Sequence, residues 1–147
     1  MKLFHTSPTK IEKIHENGMF GDCLFFSSEP YYMTTVKTPV VYSIDLNDDD
    51  VVPVRDLFDE EIISRIALVM NIDEDSAERV LDGRDTAFDH GHDGEMDWWV
   101  QGVQGECAKK MGFSAVESQD EQGAVWIVPM LGREHDLTEV LGDSYDI

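Results

Sequence analysis

Two short polar segments carry side chains that suit chemistry on a small molecule. The first closes an alternating segment with His5, Thr6 and Ser7. A histidine at the end of an edge strand can face a cleft, and the backbone beside it is exposed for binding an amide. The second segment places Asp120 and Glu121 in a polar turn between two apolar segments. Each pattern alone is common in proteins without such chemistry, so only their combination is informative.

An aromatic segment between them adds a means of holding a planar ring. The chain just before Tyr31 and Tyr32 is apolar and aromatic and contains Phe25. Flat rings on neighbouring elements can sandwich a planar heterocycle by stacking. Leu24 and Phe26 in the same segment are better explained as core residues, because such a strand buries one face.

Several common catalytic and nucleotide-binding motifs are missing from the sequence. It contains no GxGxxG, GxxxxGK[ST], HExxH or GxSxG pattern, which argues against a Rossmann domain, a P-loop, a zinc protease and a serine hydrolase. His90 and His92, flanked by Asp89 and Asp93, have the residue types of a divalent-metal site. In so acidic a chain a solvated loop explains the same pattern better, and we expect no metal.

The composition of the chain limits the kinds of partner that it can bind. The 147 residues suffice for one domain, and 31 acidic residues against 11 basic ones give a net charge of −20. This charge argues against binding to nucleic acid or an anionic membrane, and it favours a positively charged partner. Cys23 and Cys107 cannot form a disulfide framework and are expected to be buried thiols. With no secretory signal and no long apolar segment, we expect a cytoplasmic protein.

Apolar spacing predicts a single mixed domain over residues 1–147. Strands are predicted at residues 2–5, 23–28, 39–46, 113–117 and 124–130, with a polar turn at 118–123. Helices are predicted at residues 7–18, 59–71, 73–81 and 96–111, a short one from residue 31, and one short helix after residue 133. Strands with helices between them and a terminal strand pair indicate an α+β fold rather than a regular βαβ repeat.

The combination of segments resembles the ADP-ribosyltransferases, specifically the diphtheria-toxin-like and polymerase-like branch with a His–Tyr–Glu triad. More closely, it resembles the phage-encoded anti-CRISPR ADP-ribosyltransferases directed at the type I-F surveillance complex. The shared phrases, in chain order, are FHTSP at 4–8, LFF at 24–26, MT at 33–34, GF at 112–113, QDEQG at 119–123 and MLG at 130–132. The resemblance implies a split core of mixed and antiparallel sheet with flanking helices. Residues 48–94 align least.

The resemblance also implies an NAD site with defined roles. It implies that His5 holds the adenosine-side ribose hydroxyl, and that the backbone amide and carbonyl of Thr6 grip the nicotinamide carboxamide. Ser7 and Ser27 are implied as further NAD-binding residues. Phe25 falls where the polymerase-like branch has its triad tyrosine, so this chain keeps the ring and lacks the hydroxyl.

The remaining roles concern the reacting ribose and the second stacking ring. Tyr31 or Tyr32 is implied to cover the other face of the nicotinamide, and we favour Tyr32. Asp120 or Glu121 is implied to contact the reacting ribose, and the choice depends on which one points into the cleft. We expect Asp120, with Glu121 orienting the acceptor. A carboxylate aimed at the 2′-hydroxyl stabilises the positive charge that develops at C1′ as the nicotinamide leaves, and no metal is required.

The implied target is a basic surface. In the family it is the large subunit of the type I-F surveillance complex, which reads the protospacer-adjacent DNA motif (PAM). A charge of −20 would speed encounter with such a surface, although solubility explains the charge equally well. Direct contact with nucleic acid or membrane is not expected. Two alternatives stay open: a non-catalytic acidic DNA mimic, and an ADP-ribosylating toxin with another host protein as acceptor.

Overall fold

The computed structural model describes residues 1–7, 23–28, 40–120, 123–130 and 133–140. The described strands are β1 (Lys2–Ser7), β2 (Cys23–Phe26), β3 (Val40–Asp45), β4 (Val51–Pro53), β5 (Ala115–Asp120), β6 (Gly123–Pro129) and β7 (Thr138–Val140). The described α-helices are α1 (Glu60–Met70), α2 (Glu74–Leu81) and α3 (Gly94–Lys110). Short 3-10 helices lie at Asp48–Asp50, Val54–Asp56, Phe88–His90 and Glu134–Asp136. These elements confirm the α+β prediction.

The strands form two sheets that meet at one point. The first sheet has the order β1-β3-β7 and is antiparallel throughout. The second has the order β2-β6-β5-β4, in which only the β4–β5 pair is parallel. The three α-helices lie in the crossover that joins those two parallel strands, as parallel pairing requires. An isolated bridge between Phe4 and Ser27 connects the edge of one sheet to the edge of the other.

Aspartate side chains fix where the three α-helices begin. Each stands just before the first helical residue and satisfies a backbone donor that the first turn leaves without a partner. The bonds run from the Ile62 N–H to Asp59 (3.0 Å), from the Ser76 N–H to Asp73 (2.6 Å) and from the Met96 N–H to Asp93 (3.1 Å). As a result, the helices predicted at residues 59–71, 73–81 and 96–111 are confirmed to within two residues at each end.

Apolar side chains fill two separate clusters. The helix-side cluster lies between the second sheet and the three helices, and α3 packs against β5 and β6 within it. Its members include Cys23, Val52, Ile62, Ile66, Met70, Val80, Leu81, Val103, Cys107, Val116 and Ile127. The inter-sheet cluster joins the two sheets and consists of Leu3, Phe26, Ile44, Leu46, Ala115, Trp126, Val128 and Met130.

Some predicted boundaries were wrong. The turn predicted at residues 118–123 is mostly strand, because β5 continues to Asp120 and pairs it with Gly123. Gly123 has a φ of 121°, a conformation that favours glycine and allows so tight a connection. Strands β4 and β7 were not predicted, and the segment after residue 133 holds β7 as well as its short helix. Strand β1 continues to Ser7, where the sequence predicted the start of a helix. The rest of the helix predicted at 7–18, and the helix predicted from residue 31, lie outside the described residues.

The longest described helix, α3, has 17 residues and a polar composition. Within the described part of the chain, no helix is long and apolar enough to cross a membrane.

Candidate active site at the junction of the two sheets

A hydrogen-bonded pair of residues joins the two sheets. The Phe4 N–H donates to the Ser27 carbonyl and the Ser27 N–H donates to the Phe4 carbonyl, both at 2.8 Å. Two residues that exchange both bonds form the closely spaced pair of an antiparallel ladder, and such pairs recur every second residue. In this register, Thr6 of β1 stands opposite Phe25 of β2.

The His5 side chain contacts the backbone of β2. Its Nδ1 lies 2.7 Å from the Phe25 carbonyl oxygen. Because a carbonyl can only accept, Nδ1 carries the proton and donates it, which leaves Nε2 as the acceptor of the neutral ring. Burial lowers the pKa of His5 below its ordinary value of 6.5, against a smaller opposite effect of that hydrogen bond. The ring is therefore neutral near pH 7 and presents Nε2 to a hydroxyl donor.

Three further predicted NAD-binding residues stand on the same two strands. Thr6 is buried, and its backbone is paired in register with Val41 of β3. Ser7 is the last residue of β1. Ser27 is partly buried and forms the bridge to Phe4. His5, Thr6, Ser7 and Ser27 therefore lie at or next to one junction, and their roles in NAD binding stay predictions.

The Phe25 ring has a packing role. It is partly buried and packs against the helix-side cluster. Phe26, its neighbour on β2, points to the other face and lies almost fully buried in the inter-sheet cluster, as expected of a core residue. Its ring centroid lies 5.5 Å from that of His5, with an interplanar angle of 48°. His5 is thus held by a ring contact from Phe26 and a backbone contact from Phe25.

Helix α3 fixes the position of β2 from behind. A Cβ added to Gly105 would lie 2.5 Å from the Cys23 Sγ and 3.1 Å from the Ile127 Cγ2. Real Cβ atoms essentially never come as close to another heavy atom as the first of these distances. The Cys23 thiol in turn donates to the Gly102 carbonyl at 3.7 Å. Since Cys23 is two residues before Phe25, this close approach sets the distance between the helix and the strand that carries the His5 acceptor.

Asp120 lies on an inner strand of the second sheet, away from the junction. It is the last residue of β5, paired with Gly123 of β6, and two strands, β6 and β2, separate it from β1. The positions predicted for the partner carboxylate and for the second stacking ring, Glu121, Tyr31 and Tyr32, lie outside the described residues. The roles assigned to Asp120 and these three residues stay predictions.

The acidic loop with two histidines has internal partners for both rings. The His90 Nε2 lies 3.0 Å from an Asp85 carboxylate oxygen, and the His92 Nε2 lies 2.8 Å from the Met70 carbonyl at the end of α1. No group of three or more potential metal ligands occurs in the portion of the chain that the structure describes. The His92 bond ties the loop to the end of α1.

Both cysteines are buried, as predicted. Burial raises the pKa of the Cys107 thiol to about 11, so Cys107 is a thiol and not a thiolate near neutral pH. The residue that sequence reasoning missed as a contributor is Phe25 through its carbonyl. No side-chain type signals such a role, because a backbone carbonyl is present at every position.

Comparison with known proteins shows the family of the chain. A family model described as "Anti-CRISPR Type I-F ADP-ribosyltransferase AcrIF11" matches residues 1–133. One solved structure, described as "Crystal structure of an anti-CRISPR protein", is similar over 95% of this chain and 95% of its own, with 25% sequence identity and a TM-score of 0.60. None of the curated proteins compared with the chain matches it. The family match includes β1, β2 and β5, the three strands that carry the predicted site.

Proposed function

The chain belongs to the anti-CRISPR type I-F ADP-ribosyltransferase family, and we propose that it transfers one ADP-ribose from NAD to the PAM-reading large subunit of the type I-F surveillance complex. As a member of this family it is an NAD-dependent enzyme directed at a CRISPR system. The proposal concerns which subunit is modified, what the site residues do and in what order the events occur.

The observation that carries the proposal is the junction between β1 and β2, where a bridge pairs Phe4 with Ser27 and the His5 imidazole bonds the Phe25 carbonyl. In the register of that bridge, Thr6 stands opposite Phe25. A carboxamide offers one acceptor and two donors in a plane, which suits binding to strand backbone. This supports the role of the Thr6 amide and carbonyl in gripping the nicotinamide carboxamide.

The protonation state of His5 suits a ribose contact. Its Nδ1 proton is committed to the Phe25 carbonyl, and its lowered pKa keeps Nε2 unprotonated near pH 7. A ribose hydroxyl can donate to that nitrogen. In this proposal His5 binds the adenosine-side ribose, Ser7 and Ser27 line the same site, and Asp120 contacts the other ribose from two strands away, so that one dinucleotide spans both.

The chemical step breaks the bond between C1′ and the nicotinamide nitrogen. The electron pair of that bond leaves with nicotinamide, which departs neutral, while the acceptor side chain forms a bond to C1′ and loses a proton. Positive charge develops on the ribose in between, as in glycoside cleavage. A carboxylate near the 2′-hydroxyl stabilises that charge, and we assign this role to Asp120 with Glu121 orienting the acceptor.

The charge of the protein supports a basic target. A net charge of −20 favours encounter with a surface that binds DNA. Adding ADP-ribose there places two phosphates and considerable bulk where the DNA motif must bind. The modification therefore blocks recognition both by repulsion and by occupancy.

Intact-mass spectrometry of the purified surveillance complex tests the proposal directly. We expect a gain of one ADP-ribose on the PAM-reading subunit after incubation with this protein and NAD, and none without NAD. Modification of another subunit would keep the chemistry and overturn the target. Neither modification nor NAD turnover would favour an acidic DNA mimic that acts by binding alone.

The Asp120→Ala variant tests the assignment of the carboxylate. We expect turnover to fall by about 10²–10³-fold, as when a group that stabilises transition-state charge is removed, with NAD affinity changed far less. The matched control is Asp45→Ala, which removes an exposed carboxylate at the end of β3. Equal NAD binding and equal transfer in the Asp120 variant would remove this residue from the role.

A further inference from the structure

A groove lies where the start of α3 meets the end of α1. It has a volume of about 560 Å³. The His92 Nε2 donates to the Met70 carbonyl at 2.8 Å, and so holds the loop before α3 against the end of α1. Two helices and this loop therefore form the groove. Its lining residues include Val69, His92, Asp93, Glu95, Met96 and Trp99.

The apolar part of the lining is open to solvent. Val69 is 45% exposed. Met96 and Trp99 are only partly buried, although both pack against the helix-side cluster. Apolar side chains gathered at an exposed groove are typical of a site that another molecule covers.

The charged part of the lining is acidic. Asp93 and Glu95 are exposed, and residues 66–78 and 85–108, which surround the groove in sequence, include Asp and Glu but no Lys or Arg. One Asp93 oxygen accepts the Met96 N–H at 3.1 Å, so its second oxygen can accept from a ligand. The start of a helix carries about half a positive unit charge, which the acidic residues of the α3 cap and first turn outweigh.

We propose that this groove docks a basic segment of a partner protein by receiving one of its arginine side chains. The apolar stem of the arginine lies on Val69 and Met96. Its planar guanidinium stacks on the Trp99 ring and donates to the Asp93 and Glu95 carboxylates. A lysine fits less well, because its compact ammonium neither stacks nor donates in a plane.

Charge decides which kind of partner fits the groove. A second copy of this chain has a net charge of −20 and would be repelled. Nucleic acid and anionic membrane are repelled for the same reason. A protein surface that binds DNA carries arginine side chains for its phosphate and base contacts, so it offers the chemistry that the groove receives.

The groove lies close to the strand that carries the His5 acceptor. Trp99 stands about 4.5 Å along the helix axis from Gly102, and the Gly102 carbonyl accepts the Cys23 thiol of β2. A partner docked in the groove is therefore held near the candidate site. Identifying this partner as the protein that is modified rests on the proposed function, whereas the binding of arginine does not.

Titration with a peptide tests the groove by itself. The probe is the acetylated and amidated peptide Arg-Leu-Arg-Leu-Arg at physiological salt, and its control has citrulline, a neutral analogue of the same shape, at each arginine. We expect the probe to shift the NMR signals of the Trp99 indole N–H and the Val69 methyl groups. The control should bind about 10-fold more weakly or less. Equal binding of the two peptides, or shifts confined to residues outside the groove, overturn the proposal.

Matched substitutions separate the groove from the overall charge. Glu95→Gln and Asp93→Asn each remove one negative charge, and asparagine keeps the ability to cap α3. We expect each variant to bind the probe about 5–10-fold more weakly. The control Glu60→Gln removes an exposed carboxylate at the opposite end of α1 and should leave the affinity unchanged. Equal losses in all three variants mean that net charge alone attracts the peptide, which overturns the proposal.

Transfer to the purified surveillance complex tests the docking role. For Glu95→Gln we expect the KM for the complex to rise about 10-fold, with kcat and NAD affinity unchanged. An unchanged KM overturns the role in docking, and a dimer in light scattering that Glu95→Gln abolishes assigns the groove to a second copy instead. A wild-type protein that modifies no subunit contradicts the proposed function, and the peptide titration then remains a valid test of the groove.

Discussion

The helix-side cluster and the junction of the two sheets satisfy their polar groups in opposite ways. Behind the second sheet, the buried Gln104 amide donates to the carbonyls of Val80 and Leu81, and so completes the end of α2. At the inter-sheet side, the buried Trp126 indole N–H has no hydrogen-bond partner among the described residues. The buried amide of the first region therefore has its partners, whereas the second region keeps an unsatisfied buried donor beside the junction.

The difference indicates that the two regions have different roles. Buried apolar area and satisfied hydrogen bonds supply most of the stability of a domain, and the helix-side cluster is rich in both. A binding site built on strand backbone must instead leave some N–H and C=O groups for the ligand, which a fully paired sheet does not allow. We therefore expect substitutions behind the sheet to change the free energy of unfolding, and substitutions at the junction to change binding and turnover.

The largest effect on stability is expected from Ile66→Ala. Ile66 is fully buried in the helix-side cluster, and truncation there loses transfer free energy and leaves a cavity, at about 3–4 kcal/mol. Urea denaturation measures the change, with Leu68→Ala as the control, since Leu68 is 83% exposed on the same helix. The control is expected to change the free energy of unfolding by less than about 0.5 kcal/mol. Equal losses in the two variants would contradict the assignment of stability to this cluster.

A smaller effect on stability is expected at Gly105, where α3 packs against β2. Gly105→Ala places a Cβ 2.5 Å from the Cys23 Sγ, and overpacking of this kind costs about 1–3 kcal/mol. The clash also displaces β2, so NAD affinity should fall together with stability. The double variant Gly105→Ala with Cys23→Ala removes the obstructing sulfur. Its stability and its NAD affinity should therefore be close to those of Cys23→Ala alone. Additive losses would mean that the two residues do not interact.

Sequence reasoning succeeded where local signals agree with the packing. The apolar spacing placed all three described α-helices, because this signal is encoded within a few turns of the chain. It failed for β4, a strand of three residues containing Pro53, and for β7. Strands this short exist only because β5 and β3 are there to pair with them, and pairing across distant residues leaves no local pattern.

The candidate site shows the same limit. The motif around His5 and Thr6 was identified from the sequence because its side chains are distinctive and the family resemblance depends on them. The partner of His5 is the carbonyl of Phe25, which only the register of β1 against β2 can reveal. Likewise, the polar residues before Gly123 were expected to form a turn, whereas pairing with β6 extends the strand to Asp120.

A pH dependence of stability is expected from the junction. The folded-state pKa of His5 is lowered by burial below its ordinary value of 6.5, so between those two values the unfolded chain binds more protons than the folded one. Stability contributed by the neutral ring is therefore complete above pH 6.5 and is lost as the pH falls below it. Comparing urea denaturation of the wild type and His5→Asn between pH 5 and 8 measures this contribution. An unchanged slope would assign the pH dependence to other groups.

The smallest effect is expected at the outer surface of the helix-side region. The Lys110 ammonium lies 2.9 Å from Asp59 and 3.0 Å from Glu61, and it joins the end of α3 to the start of α1. Lys110 and Glu61 are exposed to solvent, so Lys110→Met is expected to lower the free energy of unfolding much less than Ile66→Ala does. The loss should shrink further in 0.5 M salt, where charges are screened over a few ångströms. A loss as large as that of Ile66→Ala would show that this region is held by its ion pairs as much as by its core.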